Sequence, residues 1–313
     1  MNRRIFIKAT LLLVASTQVL SNGIVNLFES TKSNFKFIYQ NSKLKAQFYK
    51  FLQNVFHLYP EVEFHQLISN TTEQEAGDKE IYLKAQAKVG DISPWNSIFK
   101  YQLPALTKQK DEMAIQTLAL LGMGSTYDGY LEIGSSGRYL DYLEEKIHIN
   151  GERYYADGKA PGYAITEMVD RGQISIGASY IPMADYNTKY SDVIPNNSLD
   201  LVTVYIGFHH CPIHLRTQFI CSISDTMRKG AKLILRDHDC HSEDQMTIVA
   251  LAHDVFNMGT KETWEYNKAE VRNFYSLDFI IDFVENLGFT FSEKTVFQDG
   301  DPTKNALMMF TKD

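Results

Sequence analysis

The 313-residue chain is poor in cysteine: Cys211, Cys221 and Cys240 are all it has, and they fall within one stretch. So few, placed so close together, exclude a disulfide framework and leave at most one pair. No C-x-x-C or H-E-x-x-H pattern occurs. Without such a compact ligand motif, no metal ligand is assigned from the sequence. Basic runs are missing beyond the first few residues, and the net charge is -7 with a pI near 5.7. That balance offers no footprint for a phosphate backbone and argues against nucleic acid as a partner. Past the N-terminus there is no apolar stretch near the roughly 20 residues that a membrane-spanning helix needs. A disordered composition is absent too. With 44% hydrophobic residues the chain can bury a full core, as one large domain or two modest ones.

The first residues carry a separate message. Asn2-Arg3-Arg4-Ile5-Phe6-Ile7-Lys8 resembles the twin-arginine export signal: a polar residue, two arginines, any residue, Phe, an aliphatic residue and Lys. An apolar stretch from Ala9 to about Leu20 follows, too short for an ordinary span but the right length for a signal-peptide core. The resemblance implies the twin-arginine export machinery as a partner and a periplasmic or membrane-associated protein. The alternatives are an uncleaved anchor, with possible membrane attachment through the N-terminus, and a cytoplasmic protein.

From about residue 34 to 121 the chain reads as helical. Phe48, Phe51, Leu52, Val55 and Phe56 recur at spacings of three and four, and Pro60, Gly90 and Pro94 punctuate the run. Its aromatics suit either core packing or the wall of a pocket. After residue 130 the pattern changes to alternating strands and helices, the mark of a parallel sheet covered on both faces. Strands are predicted to end at Glu132 and at Asp157, and to cover residues 174–180, 199–206 and 232–235. Helices are predicted over 137–147, through Ile165 and Val169, and over 215–227, 243–258 and 276–286. Residues 291–297 and 305–311 form two more strands, joined by a turn short enough to make them antiparallel neighbours.

The turn in Tyr130–Tyr139, YLEIGSSGRY, holds the most chemistry. A strand running into a Gly/Ser turn aims backbone N–H groups at a ligand above the sheet edge. A dinucleotide fingerprint needs glycine where Glu132 stands, because the carboxylate would repel a pyrophosphate. Glu132 suits a ligand with a cationic end, such as the ammonium and sulfonium of S-adenosylmethionine.

With these pieces in order, residues 127–313 resemble the class I S-adenosylmethionine-dependent methyltransferases. The LEIGSSG turn is similar to their first motif, which would place Glu132, Gly134, Ser135 and Gly137 at the cofactor, although Ser136 stands where many members have glycine. Asp157 falls where they hold both ribose hydroxyls. Asp185 is similar to the acid that contacts the adenine amino group. Asn197-Ser198-Leu199-Asp200-Leu201-Val202 and the segment from Arg228 to Leu235 resemble the fourth-strand motif and the turn into the fifth. The resemblance implies an α/β, Rossmann-like sheet of seven strands, five parallel plus a C-terminal antiparallel hairpin, preceded by a helical cap. The implied divisions are a signal or anchor over 1–30, the cap over 31–121 and the methyltransferase domain over 122–313. S-adenosyl-L-methionine is the implied cofactor, and a small or medium-sized molecule the implied acceptor.

Two histidine-rich segments should face that acceptor: His209-His210-Cys211-Pro212-Ile213-His214 and Arg236-Asp237-His238-Asp239-Cys240-His241. They follow the fourth and fifth strands, beyond whose carboxyl ends this fold binds its ligands. Three readings remain open. His210 or His238 is a general base oriented by Asp237 or Asp239, or histidine, cysteine and aspartate converge on a divalent metal ion, or the segments are structural. The catalytic assignment is His210, His238 and Asp237. The loop from Asn257 to Trp264 is expected to close over the acceptor or to be anchored by Trp264. A non-catalytic ligand- or metal-binding protein on the same fold is the alternative function. An NAD-dependent dehydrogenase is disfavoured by Glu132 and by the terminal hairpin.

Overall fold

The computed structural model describes residues 33–94, 100–101, 103–135, 137–164, 168 and 176–313. The twin-arginine-like segment, Ser136, the predicted helix positions Ile165 and Val169, and the start of the predicted third strand at Ile174 lie outside the described residues.

Helices come first: α1 (Asn34–Tyr39), α2 (Ser42–Phe51), α3 (Glu61–Gln74), α4 (Asp78–Ile92) and α5 (Leu103–Leu121). The sheet then begins with β1 (Thr126–Ile133), α6 (Leu140–Glu144), β2 (His148–Asp157), β3 (Ser179–Pro182) and β4 (Leu199–Val204). It continues with α7 (Arg216–Thr226), β5 (Met227–His238), α8 (Glu243–Gly259), α9 (Trp264–Ala269), α10 (Leu277–Glu285), β6 (Phe289–Phe297) and β7 (Asn305–Lys312). The seven strands form one sheet in the order β3-β2-β1-β4-β5-β7-β6. Pairing is parallel from β3 through β5, and β7 runs antiparallel to both β5 and β6. The expected five parallel strands and terminal hairpin are therefore present.

Parallel strands are covered on both faces, which explains why Tyr130 to Ile133 is buried without alternation. One face packs on α7 and α10 through Phe219, Ile220, Ile223, Ile280 and Val284. The other packs on α5 and α6, where Met113, Leu120, Leu140 and Leu143 meet Tyr130, Leu201 and Ile234. Each such side chain, fully buried, contributes about 1.5–3 kcal/mol. A further core lies away from the sheet. Phe35, Phe48, Phe56, Phe64 and Ile81 of the first helices close on Ile248, Leu251, Val255 and Met258 of α8. The three-and-four spacing of the early aromatics thus fills a helical core that takes its last wall from a helix two hundred residues later.

Several expected bounds differ for local reasons. Gly137 has a left-handed φ of +87°, so the helix after it starts only at Leu140 and is short. β2 begins at His148 rather than near Arg153, because the polar residues from Asn150 to Glu152 lie on an exposed edge that hydrophobic patterning does not report. β5 runs through Arg228-Lys229-Gly230, which read as a turn. Arg228 is instead held in the sheet by Asp200 at 2.9 Å and Asp128 at 3.2 Å. All three cysteines are free. No helix among the described residues is long and apolar enough to cross a membrane.

Candidate functional site

β1 has β2 on one side and β4 on the other, so the strand order reverses at its carboxyl end, where ligands of open α/β sheets bind. Glu132 stands there fully buried. Its Oε2 accepts the Tyr130 hydroxyl at 3.0 Å, and that hydroxyl lies 2.8 Å from Thr203 Oγ1. Burial pushes the Glu132 pKa up, against the opposing pull of Ser135, Tyr130 and the Tyr139 backbone. Oε1 is buried with no well-aligned donor. A ligand ammonium would supply one.

The two glycines of the turn have a second purpose. A Cβ at Gly134 would sit 2.3 Å from Ile206 Cβ, and one at Gly137 would sit 2.3 Å from a ring carbon of Tyr155. Both glycines also have positive φ, at +83° and +87°. The turn therefore admits this chain's own Ile206 and Tyr155, a packing demand that the sequence reading assigned to cofactor approach alone. Ser135 is buried and its hydroxyl accepts the Arg138 N–H at 2.9 Å. Asp157 ends β2, and its Oδ1 accepts the Gly158 N–H at 2.8 Å. Asp185 is exposed beyond β3, in a turn where Ala184, Asp185 and Tyr186 all have positive φ, 47°, 50° and 69°. Left-handed backbone costs roughly 1–2 kcal/mol at each such residue.

Beyond β4 and β5 the two histidine segments meet. Asp237 is buried, and its Oδ1 lies 2.7 Å from His209 Nδ1 while its Oδ2 accepts the His209 N–H at 2.8 Å. It also accepts the His238 N–H at 2.7 Å. His210 Nδ1 faces the Val271 carbonyl at 2.9 Å, and His238 Nδ1 faces the Thr303 carbonyl at 3.0 Å. Carbonyls only accept, so in both rings Nδ1 carries the proton and Nε2 the lone pair. A fourth imidazole arrives from α8: His253 Nδ1 lies 3.5 Å from Glu270 Oε2. Ring centroids of His209, His210 and His253 are 4.1 to 5.1 Å apart, with Phe274 packed 5.3 Å from His209.

Burial drives all four imidazoles toward the neutral form. His253 is lowered to about 3 by desolvation, and His209, His210 and His238 are lowered mainly by the same cause. Asp237 is raised by burial to about 6, opposed by His238 and the backbone donors. Glu270 is buried too, yet His253, Arg272 and His210 outweigh its desolvation and hold it well below the ordinary range. His209 Nε2 is buried with no partner. An orphaned group of that kind costs about 1–3 kcal/mol.

The strand order decides the fold. It is the Rossmann-like methyltransferase fold. No family model and no curated protein matches the sequence. Among solved structures, the chain is similar to a Burkholderia thailandensis 1,6-didemethyltoxoflavin-N1-methyltransferase with bound 1,6-didemethyltoxoflavin and S-adenosylhomocysteine. Identity is 13% with a TM-score of 0.43, over 66% of this chain and 78% of that one. It is also similar to a SAM-dependent methyltransferase from Aquifex aeolicus, at 13% identity and TM-score 0.43, over 73% of this chain and 98% of that one. A third is an O-methyltransferase family 2 protein from Planctomyces limnophilus in complex with apigenin, at 11% identity and TM-score 0.45, over 80% and 66%. Likeness this distant carries nothing about acceptor or mechanism.

The structure rearranges the expected pairings. Asp237 orients the His209 ring, not those of His210 or His238, which are set by backbone carbonyls instead. Asp239 accepts the Leu277 N–H at 3.2 Å at the start of α10 and pairs with His241 at 2.7 Å. The cysteines stay out: among the described residues the group whose ligand atoms could share one ion is His209, His210 and His253, while Cys211 and Cys240 are buried elsewhere and burial pushes their thiols up to about 12. The expected loop from Asn257 splits between the last turn of α8 and the start of α9. Its link is tied down by Tyr82 and Gln86, which donate to the Glu262 carbonyl at 2.9 and 2.7 Å, and Trp264 packs edge-on against Tyr82 at 5.4 Å.

His253, Glu270 and Arg272 were not assigned to the site from sequence. Arg272 donates to Asp254 at 2.7 Å, Glu270 at 2.8 Å and Asn267 at 2.7 Å, locking the segment that carries Glu270 against α8. The available signal was His253, Asp254 and Asn257 in the apolar second half of α8, where Asp254 and Asn257 are buried and His253 is half-buried. Three polar groups at that spacing require partners inside the fold.

Proposed function

We propose that this chain is an S-adenosylmethionine-dependent methyltransferase acting on a small or medium-sized acceptor. The supporting observation is the succession of Glu132, Asp157 and Asp185 at or beyond the carboxyl ends of β1, β2 and β3, in the order of the sheet. These residues fit the cofactor. Glu132, with its unmatched buried oxygen, would take the ammonium end, Asp157 the ribose hydroxyls and Asp185 the adenine amino group, with Gly134, Ser135 and Gly137 shaping the turn between them. Bound S-adenosylmethionine supplies an electrophilic methyl group. The chain supplies position, and a base where the acceptor has a proton to lose. His238 suits that role: its Nδ1–H is fixed on the Thr303 carbonyl, leaving Nε2 to receive a proton.

Equilibrium binding of S-adenosylhomocysteine to the full chain tests the reading. Wild type should bind it, Asp157→Asn about ten-fold more weakly, and complete failure of the wild type to bind overturns the assignment. Once an acceptor is found, His238→Gln should lower kcat about 100-fold or more. We also propose export or membrane attachment through Arg3-Arg4. Arg3→Lys/Arg4→Lys should then redistribute the protein on cell fractionation, and an unchanged distribution removes that proposal.

The gathered histidines support a second reading, a non-catalytic ligand- or metal-binding protein on the same fold. Binding of S-adenosylhomocysteine without turnover of any acceptor would favour it.

A further inference from the structure

We propose that His209, His210 and His253 hold a divalent transition-metal ion, with zinc the cation that fits their chemistry. One ring nitrogen from each lies within 4.8 Å of those of the other two. A tetrahedral zinc bound at about 2.0–2.1 Å needs its ligand nitrogens roughly 3.4 Å apart. Binding would therefore draw the rings of His210 and His253, neither of them fully buried, inward toward the buried His209.

What distinguishes the group from stacked core aromatics is the layer behind it. Each ring has its Nδ1 against an oxygen: Asp237 for His209, the Val271 carbonyl for His210 and Glu270 for His253. Metal-binding histidines are held in just this manner, one nitrogen anchored to a carboxylate or carbonyl so that the other presents its lone pair. The second, independent observation is His209 Nε2, in a side chain 2% exposed, which meets no hydrogen-bond partner. A cation at the centre of the group would complete it.

Charge permits the cation. Asp237, Glu270 and Asp254 stand against Arg236 and Arg272, and Arg272 is already paired with Glu270 and Asp254. Three imidazoles select zinc or a neighbouring transition ion over magnesium or calcium, which take oxygen ligands. Three protein ligands also leave a coordination position open, the arrangement of metals that act on a bound group rather than staple a fold. His238 lies outside the three, so its role as base is compatible with an occupied site. The inferred ligand for the open position is an oxygen or sulfur anion of the acceptor; this last step rests on the methyltransferase reading, whereas the metal site does not.

Zinc uptake by the metal-stripped full chain, measured by equilibrium dialysis without any S-adenosyl compound, tests the site. Wild type and the control His214→Gln, an exposed histidine outside the cluster, should each take one equivalent. His210→Gln and His253→Gln should lose it, and magnesium should not bind. Cobalt in the wild type should give the d–d spectrum of a tetrahedral nitrogen site without thiolate charge transfer, a readout independent of how any variant folds. Less than one equivalent in the wild type, uptake by the two variants equal to the wild type, or a thiolate band would overturn the proposal. Failure to bind S-adenosylhomocysteine alongside normal zinc uptake would sink the methyltransferase reading alone.

Discussion

The two halves of the sheet's carboxyl edge are built on opposite principles. At the β1–β3 end the acids are spread along successive strands, and most of the strict local requirements, above all the two glycines, are imposed by the chain's own Ile206 and Tyr155. At the β4–β5 end, side chains from four separate segments converge on one buried spot and leave a nitrogen there unsatisfied. The first end is built round a motif, its Gly/Ser turn visible in a run of ten residues. The second is a convergence, which exists only once the chain has folded. A familiar motif can thus owe its glycines to packing, while the more constrained chemistry sits in residues with no motif.

Five perturbations, four at this edge and one in the helical core, bear on this contrast. Asp237→Ala should cost the most, about 3–4 kcal/mol in urea unfolding, because it strands the His209 ring and the backbone N–H groups of His209 and His238 in a buried place. A loss under about 1 kcal/mol would show that the β4–β5 end is less interlocked than its hydrogen bonds imply. Gly134→Ala should follow at about 2–3 kcal/mol, from backbone strain and the clash with Ile206. If stability holds but S-adenosylhomocysteine binding disappears, the glycine is there for the ligand and not for packing.

Two titrations should run in opposite directions. Glu132 is raised above its ordinary value by burial, so the folded state holds its proton more tightly than the unfolded chain does. Stability should therefore decline as pH rises through and above about 4.5, and Glu132→Gln should flatten that limb. In the helical core His65 is lowered to about 4 by burial and by Lys45, and its ring packs tilted against Tyr49 at 4.6 Å. Its unfolded form takes a proton below about 6.5, so stability should fall as pH drops from 6.5 toward 4, and His65→Gln should make this limb shallower, the four lowered imidazoles beyond β4 and β5 supplying the rest. Chemical denaturation across pH 4 to 8 reads both. The smallest stability effect is expected at exposed Asp185: Asp185→Asn should change unfolding by no more than about 0.5 kcal/mol while weakening S-adenosylhomocysteine. A large stability loss would make it a structural turn residue.

Much of the fold was legible in the sequence, because burial on both faces makes the inner parts of β1 and β4 largely apolar and a short link gives the terminal hairpin away. Ser242 and Ser276, each accepting an N–H three residues on, start α8 and α10 close to where periodicity predicts helices. The early parts of β2 and β5 were hidden, since exposed Asn150, Lys229 and Gly230 have no hydrophobic face to betray a strand. For the site, Asp237, His210 and His238 announced themselves by clustering in sequence. Their partners did not: a carbonyl at Val271 or Thr303 looks like any other carbonyl until the fold brings it near an imidazole.

The hydrogen bond from His238 to the Thr303 carbonyl has a kinetic consequence. It joins the end of β5 to the turn just before the last strand, 65 residues later. Loop closure over such a distance comes late, after more local contacts are made. The chain should therefore acquire its secondary structure before its chemistry, and the final orientation of His238 should report that the C-terminal hairpin has docked.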